Sequence, residues 1–216
     1  MQFSERPEII INHISADFPI SEPGRPEWRK AASVLINSYW SGVESPPARH
    51  TVVRPLWSDT SIYVRFDGAQ AEPLIVSDAP DLNAKTLGLW DRDVFEVFIA
   101  PDKHEPRKYY EFEASPQGEW VDLTVDLTSG MRRVDVDYTS GMTAAASIRD
   151  DRVITVIKIP FAAFRKRPEP GESWLGNFFR CVGQDPDRGY LAYNPTGTTM
   201  PNFHVPEKFV RFEFRK

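Results

Sequence analysis

Several residue types that would narrow the function are scarce or missing in this chain of 216 residues. Cys181 is the only cysteine, so no disulfide can form within the chain, and its apolar surroundings at 178–182 indicate a buried small hydrophobe rather than a nucleophile. No stretch approaches the roughly 18 apolar residues of a membrane-spanning helix, and we expect no membrane partner. The opening MQFSERPEII lacks a basic segment followed by a long apolar core, so it predicts no signal peptide.

Positive charge is scarce as well. Lys and Arg number 26 against 31 Asp and Glu, which gives a net charge of -5. The basic clusters, such as RKR at 165–167, are short. Because binding to a phosphate backbone requires clustered Lys and Arg, we expect no nucleic-acid partner.

The common catalytic and cofactor motifs are missing too. The chain has no GxSxG, P-loop or GxGxxG sequence. Its four histidines show neither HxH nor HExxH spacing, so we expect no zinc site. The acid pairs at 91–93 (DRD) and 185–187 (DPD) are typical of turns, and they leave calcium as an open alternative for a cofactor.

What the chain does have is a series of short strands. Nineteen prolines and 12% aromatic residues favour many strands joined by rigid loops over a helical bundle. The apolar patterns predict strands at 8–14, 51–57, 61–66, 74–77, 94–99, 109–114, 120–127, 143–148, 153–159, 174–183 and 209–214. Helical spacing appears over 26–37 and in a single turn at 161–164. The sequence therefore predicts one domain over 1–216, an all-β antiparallel β-sandwich of about ten strands with one short N-terminal helix.

The strongest indication of function lies in residues 89–118, where polar residues interrupt two apolar strands. Glu96 falls on the same strand face as its apolar neighbours, and a carboxylate in that position needs a hydrogen-bonding partner. A ligand hydroxyl is one such partner. Trp90 precedes this strand in a charged turn, and Glu111 and Glu113 share one face of the next strand. This mixture of exposed-type residues and apolar strands predicts a ligand-binding face.

Five segments of the chain occur in a recognisable order. They read LWDRDVFEVFIAP, YYEFEASPQG, VITVIKIPFAAF, GESWLGNFFRC and PNFHVPEKFVRFEF. Together they resemble the family 9 carbohydrate-binding modules and their relatives, from about residue 31 to the C-terminus. The resemblance implies a β-sandwich in which two aromatic rings hold a sugar unit, helped by polar side chains and often by structural calcium. It implies a mono- or oligosaccharide as the partner, and binding without catalysis.

The resemblance also implies roles for particular residues. Trp90 matches the first aromatic platform, Glu96 matches the sugar-bonding acid, and Phe203 takes the place of a second platform that is usually tryptophan. An arginine is expected on the YYEFE strand, where this chain has Glu113, and Arg180 is the candidate for a displaced polar residue. The predicted substrate-binding residues are Trp90, Glu96, Glu111, Glu113, Arg180, Phe203 and His204.

Two alternative functions remain open from the sequence. Glu111 and Glu113 would have Cα atoms roughly 6.6 Å apart, within the range of a catalytic carboxyl pair in a glycosidase. Such pairs normally flank the scissile bond from opposite sides, so catalysis ranks second to binding. Distant relatives of the same sandwich superfamily bind haem through Met, His or Lys. The haem-ligand candidates are Met131, Met142, Met200 and His204, and no sequence pattern selects two of them.

Overall fold

The computed structural model describes residues 7–216, which form fourteen strands and five short 3-10 helices. The strands are β1 (Glu8–His13), β2 (Val34–Ile36), β3 (Ser38–Tyr39), β4 (Thr51–Trp57), β5 (Ser61–Ala69), β6 (Val94–Ala100), β7 (Lys108–Ala114), β8 (Trp120–Asp126), β9 (Arg133–Asp135), β10 (Thr143–Arg149), β11 (Arg152–Pro160), β12 (Ser173–Val182), β13 (Gly189–Ala192) and β14 (Val210–Arg215). The 3-10 helices are Pro26–Lys30, Pro47–Arg49, Leu89–Asp91, Phe161–Phe164 and Pro206–Lys208. In this part of the chain, no helix is long and apolar enough to cross a bilayer.

The strands form one mixed sheet in the order β10-β11-β5-β4-β1-β14-β12-β6-β7-β8-β9. β1 runs parallel to both β4 and β14, whereas the other pairs in this order run antiparallel. The antiparallel prediction is therefore wrong at β1. β1 is not joined to either neighbour by a hairpin. Two parallel strands can be paired only when a long stretch of chain lies between them, and this is the case for β1.

The sheet curls so that strands distant in its order face one another. Phe66 on β5 stacks on Phe95 of β6, with ring centroids 5.3 Å apart. It also packs edge-on against Phe178 of β12 at 5.9 Å. Because β5 is not a neighbour of β6 or β12 in the sheet, these contacts produce a sandwich-like arrangement around an apolar layer. We call this layer the inner core.

A second apolar cluster covers the opposite face of β6, β7, β8 and β12, and we call it the outer cluster. Alternation along β6 separates the two: Phe95 and Val97 belong to the inner core, whereas Val94 and Phe98 belong to the outer cluster. Every residue of β6 is buried. The outer face of this strand must therefore be covered by loops, and these loops build the site described below.

The predicted N-terminal helix over 26–37 is wrong. Pro26–Lys30 forms a single 3-10 helix, and β2 follows it and pairs with β4. The apolar residues that suggested a longer helix do not share one face: Trp28 is buried edge-on against Phe18, whereas Leu35 and Ile36 belong to β2, where Leu35 is exposed and Ile36 is buried. The turn Phe161–Phe164 is helical, as predicted.

Two further strand predictions differ from the structure. The segment 74–77 is not a strand, although Ile75 exchanges hydrogen bonds with Asp93 through its backbone N–H and carbonyl groups. The strand count is fourteen rather than about ten, because β2, β3, β9 and β13 were not predicted. These strands are two to four residues long. A period-two pattern cannot be recognised over so few positions.

Candidate functional site

A cavity of about 460 Å³ lies over the outer cluster. Its floor consists of alternate residues from the sheet, including Glu96, Phe98, Glu111, Leu123 and Cys181. Its rim is formed by loops, by the 3-10 helix Leu89–Asp91 and by the edge strand β9, and it includes Trp90, Arg132, Val134, Phe203 and His204. Five of the seven predicted substrate-binding residues line this cavity, namely Trp90, Glu96, Glu111, Phe203 and His204. The rim residues are separated by up to 114 positions in the sequence, and the curled sheet brings them together.

Three glutamates meet at and just behind the cavity floor, and we call Glu96, Glu111 and Glu113 the acid cluster. Glu113 lies directly opposite Glu96 in the β6–β7 pair, and the two-residue spacing puts Glu111 on the same face. One carboxylate oxygen from each residue lies within 4.8 Å of the other two. The residues are only 2%, 4% and 0% exposed, respectively. Glu113 is therefore not on the cavity wall but directly behind it.

The protein offers the acid cluster few partners. The Cys181 thiol donates to Glu96 Oε1 at 3.4 Å, and His204 Nδ1 lies 4.0 Å from Glu111 Oε2. Among the described residues, no N–H, hydroxyl or thiol donor reaches Glu111 Oε2 or either carboxyl oxygen of Glu113, and the carboxyl groups of Glu111 and Glu113 are hydrogen-bonded to each other. Burying carboxylates without donors is costly, so the cluster is an unusual feature of this interior.

The crowding of the acid cluster favours proton uptake. Burial, reinforced by the charge of Glu111, raises the pKa of Glu96 to about 8. Burial raises the pKa of Glu111 to about 6. Burial and the neighbouring charges of Glu96 and Glu111 raise the pKa of Glu113 well above its usual value. Three ionised carboxylates at this separation would repel one another strongly in a site of low dielectric constant.

The His204 ring is held in a fixed orientation at the rim. Its Nδ1 lies 2.7 Å from the Tyr109 hydroxyl, and the ring stacks on Phe98 with centroids 5.4 Å apart. Burial, followed by the positive charge of Arg132, lowers the pKa of His204 to about 4. The imidazole is therefore neutral at pH 7 and does not compensate the charge of Glu111.

The two predicted aromatic platforms differ in exposure. Trp90 is 40% exposed, whereas Leu89 beside it is fully buried and anchors the 3-10 helix Leu89–Asp91 in the outer cluster. Phe203 is 8% exposed, and one face of its ring stacks on Phe179 at a centroid distance of 4.2 Å. Trp90 thus presents a large accessible surface, while Phe203 has one face already covered.

Arg180 does not line the cavity, contrary to the sequence prediction. Its neighbour Cys181 faces the cavity, so the pleat of β12 directs the Arg180 side chain to the opposite face. There it donates to Gln70 Oε1 at 2.6 Å and to the carbonyl oxygens of Ala69 and Arg49 at 2.8 and 3.0 Å. Burial lowers the pKa of Arg180 to about 10, which still leaves it charged at pH 7. These contacts serve the fold rather than the cavity.

Sequence reasoning missed two arginines at the site. Arg132 is exposed, and among the described lining residues it is the one with a permanent positive charge. Arg188 holds the turn at residues 90–92, which we call the Trp90 turn, by donating hydrogen bonds to the carbonyl oxygens of Trp90, Arg92 and Asp91 at 2.7, 2.8 and 3.0 Å. Both arginines lie in turn-like sequence, where no local pattern distinguishes them from solvated surface residues.

The acid turns considered for calcium do not gather ligands. Asp93 is buried and accepts backbone N–H groups of Gly183 at 2.7 Å and Ile75 at 3.3 Å. Asp185 and Asp187 are exposed. Across residues 7–216, the acid cluster is the one group of three acidic, His or Cys side chains whose ligand atoms lie close enough to share an ion.

The candidate haem ligands are scattered. Met142 is buried in the inner core, on the other side of the sheet from the cavity. Met131 and Met200 are 68% and 72% exposed. His204 lines the cavity, with its Nδ1 beside the Tyr109 hydroxyl. Of these four side chains, that of His204 is the one that lines the cavity.

Comparison with known proteins assigns the chain to a family. Residues 24–185, which are 162 of the 216 residues, match the family described as carbohydrate family 9 binding domain-like. The chain belongs to this family. This family 9 domain is also similar to a protein from Arthroderma benhamiae (strain ATCC MYA-4681 / CBS 112371) named "Extracellular protein". The two are 23% identical in an alignment that covers 84% of this chain and 86% of the relative.

Solved structures share the fold of this family 9 domain. A candidate carbohydrate-binding protein from Bacteroides uniformis ATCC 8492 matches with a TM-score of 0.73 and 15% identity, covering 98% of this chain and 100% of its own. A family 9 module from Caldicellulosiruptor kristjanssonii in complex with cellotriose matches with a TM-score of 0.69 and 12% identity, covering 97% and 94%. A family 9 module from the same organism in complex with glucose matches with a TM-score of 0.65 and 11% identity, and the match covers 97% of this chain and 96% of the module.

Proposed function

We propose that this family 9 domain binds a carbohydrate without catalysis and holds one sugar unit in the cavity beside Trp90. One observation carries the proposal: a half-exposed tryptophan and buried carboxylates line the same cavity. Structurally similar modules of the family have been solved with cellotriose and with glucose. A cavity of about 460 Å³ is also within the size range of small-molecule sites.

The chemistry of the lining suits a pyranose. The ring of such a sugar has an apolar C–H face, and the exposed indole of Trp90 covers a face of this kind with little loss of conformational freedom. Phe203 borders the same cavity and is the second aromatic side chain of the proposed clamp, which holds the sugar ring between Trp90 and Phe203. Because one face of Phe203 is taken by Phe179, its contribution is the smaller of the two.

The hydroxyl groups of the sugar find polar partners at the floor and rim. Glu96 and Glu111 supply carboxyl groups, which accept hydrogen bonds when ionised and can also donate one when protonated, as the raised pKa of Glu96 favours. Arg132 and His204 supply further polar atoms at the rim. Arg180 has no part in this proposal, since its donors are occupied on the far side of β12.

Binding without hydrolysis is favoured by the position of the carboxylates. Glu111 and Glu113 belong to one strand and one face, and Glu113 is fully buried behind the floor. A catalytic pair has to reach the glycosidic bond from two sides. We expect no turnover of aryl glycosides or of xylan, cellulose and mannan oligosaccharides. Turnover abolished by Glu111→Gln would contradict this part of the proposal.

Calorimetric titration with glucose, cellotriose and xylo-oligosaccharides tests the binding proposal. We expect a dissociation constant of roughly 10 μM to 1 mM. Trp90→Ala should weaken binding by about 1–3 kcal/mol, as expected for a truncated aromatic anchor. Trp120→Phe is the matched control, because Trp120 packs against the inner core and should leave affinity unchanged. Unchanged affinity in a folded Trp90→Ala variant would refute the proposed site.

A further inference from the structure

A second cavity, of about 700 Å³, lies beside the one proposed to hold a sugar unit. We call the first the Trp90 cavity and the second the Trp40 cavity, each after a residue that lines it. We propose that the Trp40 cavity is a further sugar-binding subsite, so that the domain binds a neutral oligosaccharide chain that extends from one cavity into the other. This inference rests on the proposed function and names the substrate class of that site.

The two cavities follow one another on the same face of the sheet. Cys181 on β12 lines the Trp90 cavity, and Tyr190 lies directly opposite it on β13 and lines the same cavity. β3 pairs with β13, and the backbone N–H of Trp40, at the end of β3, donates to the Tyr190 carbonyl oxygen at 2.8 Å. Directly opposed residues of antiparallel strands project from one face, so these three side chains form a row across the strands. Trp40 accordingly packs against the outer cluster.

Arg188 and Tyr190 form the boundary between the cavities. Arg188 lines the Trp40 cavity and donates to the carbonyl oxygens of Trp90 and Asp91, both of which line the Trp90 cavity. The Arg188 guanidinium lies 5.3 Å from the centre of the Tyr190 ring, and this ring meets that of Trp40 edge-on at 6.2 Å. A ligand that leaves the Trp90 cavity across Tyr190 therefore enters the Trp40 cavity.

The distance between the two cavities requires a chain of sugars. Glu96 on β6 and Trp40 beside β3 are three strand spacings apart, which is about 14 Å along the sheet. A single pyranose does not span this distance, whereas a short oligosaccharide does. The row of aromatic side chains thus fits a glycan with several linked units.

Trp40 has the properties of a stacking platform. Its indole N–H donates to the carbonyl oxygen of Thr198 at 3.0 Å, and its own carbonyl oxygen accepts from the N–H of Gly197 at 2.7 Å. These bonds fix the ring while part of it stays exposed in the cavity. A fixed aromatic ring covers the apolar C–H face of a pyranose with little further loss of conformational freedom.

The polar lining of the Trp40 cavity suits a neutral ligand. Arg49 donates to the two carboxylate oxygens of Glu72 at 2.7 and 2.8 Å and to the Tyr39 hydroxyl at 3.2 Å. Charged groups held in this way form strong hydrogen bonds with hydroxyls. The lining contains two arginines, Arg49 and Arg188, and two acids, Glu72 and Asp187. Because these charges cancel, the cavity favours neither an anion nor a cation, and a neutral glycan is the ligand that fits.

The dependence of affinity on chain length tests the inference. Cello- and xylo-oligosaccharides of one to five units are titrated calorimetrically into the protein. We expect the dissociation constant to fall about 10-fold or more between the monosaccharide and the tetrasaccharide, because the added units reach the Trp40 cavity. Trp90→Ala should weaken binding at every length, since the first unit is held there.

Two variants locate the added units. Trp40→Ala should reduce the gain with chain length to about twofold or less. Val43→Arg, which puts a long side chain at an exposed position of the Trp40 cavity, should do the same and decides the matter if Trp40→Ala does not fold. Ile148→Arg is the matched control: Ile148 is similarly exposed but lies on the edge strand β10, so the gain should equal that of the wild type.

The two proposals fail in different ways. Monosaccharide binding with no gain at greater length would overturn this inference and leave the proposed function standing. A gain that survives in folded Trp40→Ala and Val43→Arg variants would overturn it as well. Absence of binding at every length would overturn both proposals.

Discussion

Two buried polar centres on opposite faces of the sheet differ in how their hydrogen bonds are satisfied. Arg180 faces the inner side of β12 and donates to Ala69, Arg49 and Gln70. Glu113, on the cavity side of β7, is hydrogen-bonded to the carboxyl group of Glu111, and no donor from outside the acid cluster reaches it among the described residues. Buried polar groups in natural proteins are nearly always paired. Arg180 is satisfied by groups of the surrounding fold, whereas Glu113 is paired with another buried carboxyl group of the acid cluster.

The surroundings explain how the acid cluster is tolerated. The acid cluster lies within a rigid aromatic layer, in which Phe98 packs against Phe179 at 4.9 Å and stacks on Tyr109 at 5.5 Å. Close-packed aromatic side chains resist rearrangement and hold the carboxylates in place. The packing of the outer cluster therefore offsets the unfavourable free energy of burying the acid cluster.

The largest expected effect follows replacement of the satisfied centre. Arg180→Met removes a guanidinium that is 1% exposed and leaves several buried acceptors without donors. We expect the free energy of unfolding to fall by about 3–5 kcal/mol, since each buried unsatisfied group costs about 1–3 kcal/mol. Chemical denaturation measures the change. Arg132→Met, at the exposed rim of the cavity, is the control and should change stability by less than about 0.5 kcal/mol. If Arg180→Met and Arg132→Met were equally stable, the hydrogen bonds of Arg180 would not stabilise the fold as proposed.

A pair of phenylalanines extends the comparison to apolar residues. Phe66 is fully buried between Phe95 and Phe178 in the inner core, and Phe66→Ala should cost about 3–5 kcal/mol of stability. Phe203 borders the cavity, so Phe203→Ala should cost only about 1–2 kcal/mol while lowering sugar affinity. Thermal unfolding and sugar titration of both variants test this. A greater stability loss for Phe203→Ala would contradict the division between the two faces.

Arg188 is a well-paired arginine on the cavity side, where pairing should affect binding more than stability. Arg188→Met keeps the packed stem but removes the donors to the carbonyls of Trp90, Arg92 and Asp91. We expect sugar affinity to fall about fivefold, or about 1 kcal/mol, because the Trp90 turn becomes mobile. Arg167→Met, which removes an exposed ion pair with Asp59, is the control. Unaltered affinity would mean that Leu89 alone holds the turn.

Much of the fold could be predicted from the sequence because long strands leave a long pattern. β4, β6, β7, β8 and β11 were each predicted to within two residues, since six or more positions of alternation or continuous apolar character identify a strand. The direction of β1 could not be predicted in this way. Its parallel partners are distant in sequence, and pairing direction depends on the global path of the chain rather than on local pattern.

The positions of candidate site residues could be predicted from the sequence where they lie on a strand, because alternation gives their face. They could not be predicted where the residues lie in loops. Alternation correctly put Glu111 and Glu113 on one face of β7, but that Glu96 meets them follows from the β6–β7 register, which the sequence pattern does not give. The same alternation, applied to β12, would have separated Arg180 from the cavity once Cys181 was known to face it. Arg188 could not be found, because its role depends on a turn 96–98 residues away in the sequence.

The smallest expected stability change is also the sharpest test of the contrast between the two centres. Glu113→Gln should change the free energy of unfolding by less than about 1 kcal/mol, because the amide keeps the shape of the side chain and still offers a donor to Glu111. Asp93→Asn is the matched control: Asp93 is equally buried but accepts two backbone N–H groups, so its loss should cost about 1–3 kcal/mol. Urea unfolding of both variants gives the comparison. A Glu113→Gln variant as unstable as Asp93→Asn would mean that Glu113 is a structural residue, and the acid cluster would then belong with Arg180 rather than in contrast to it.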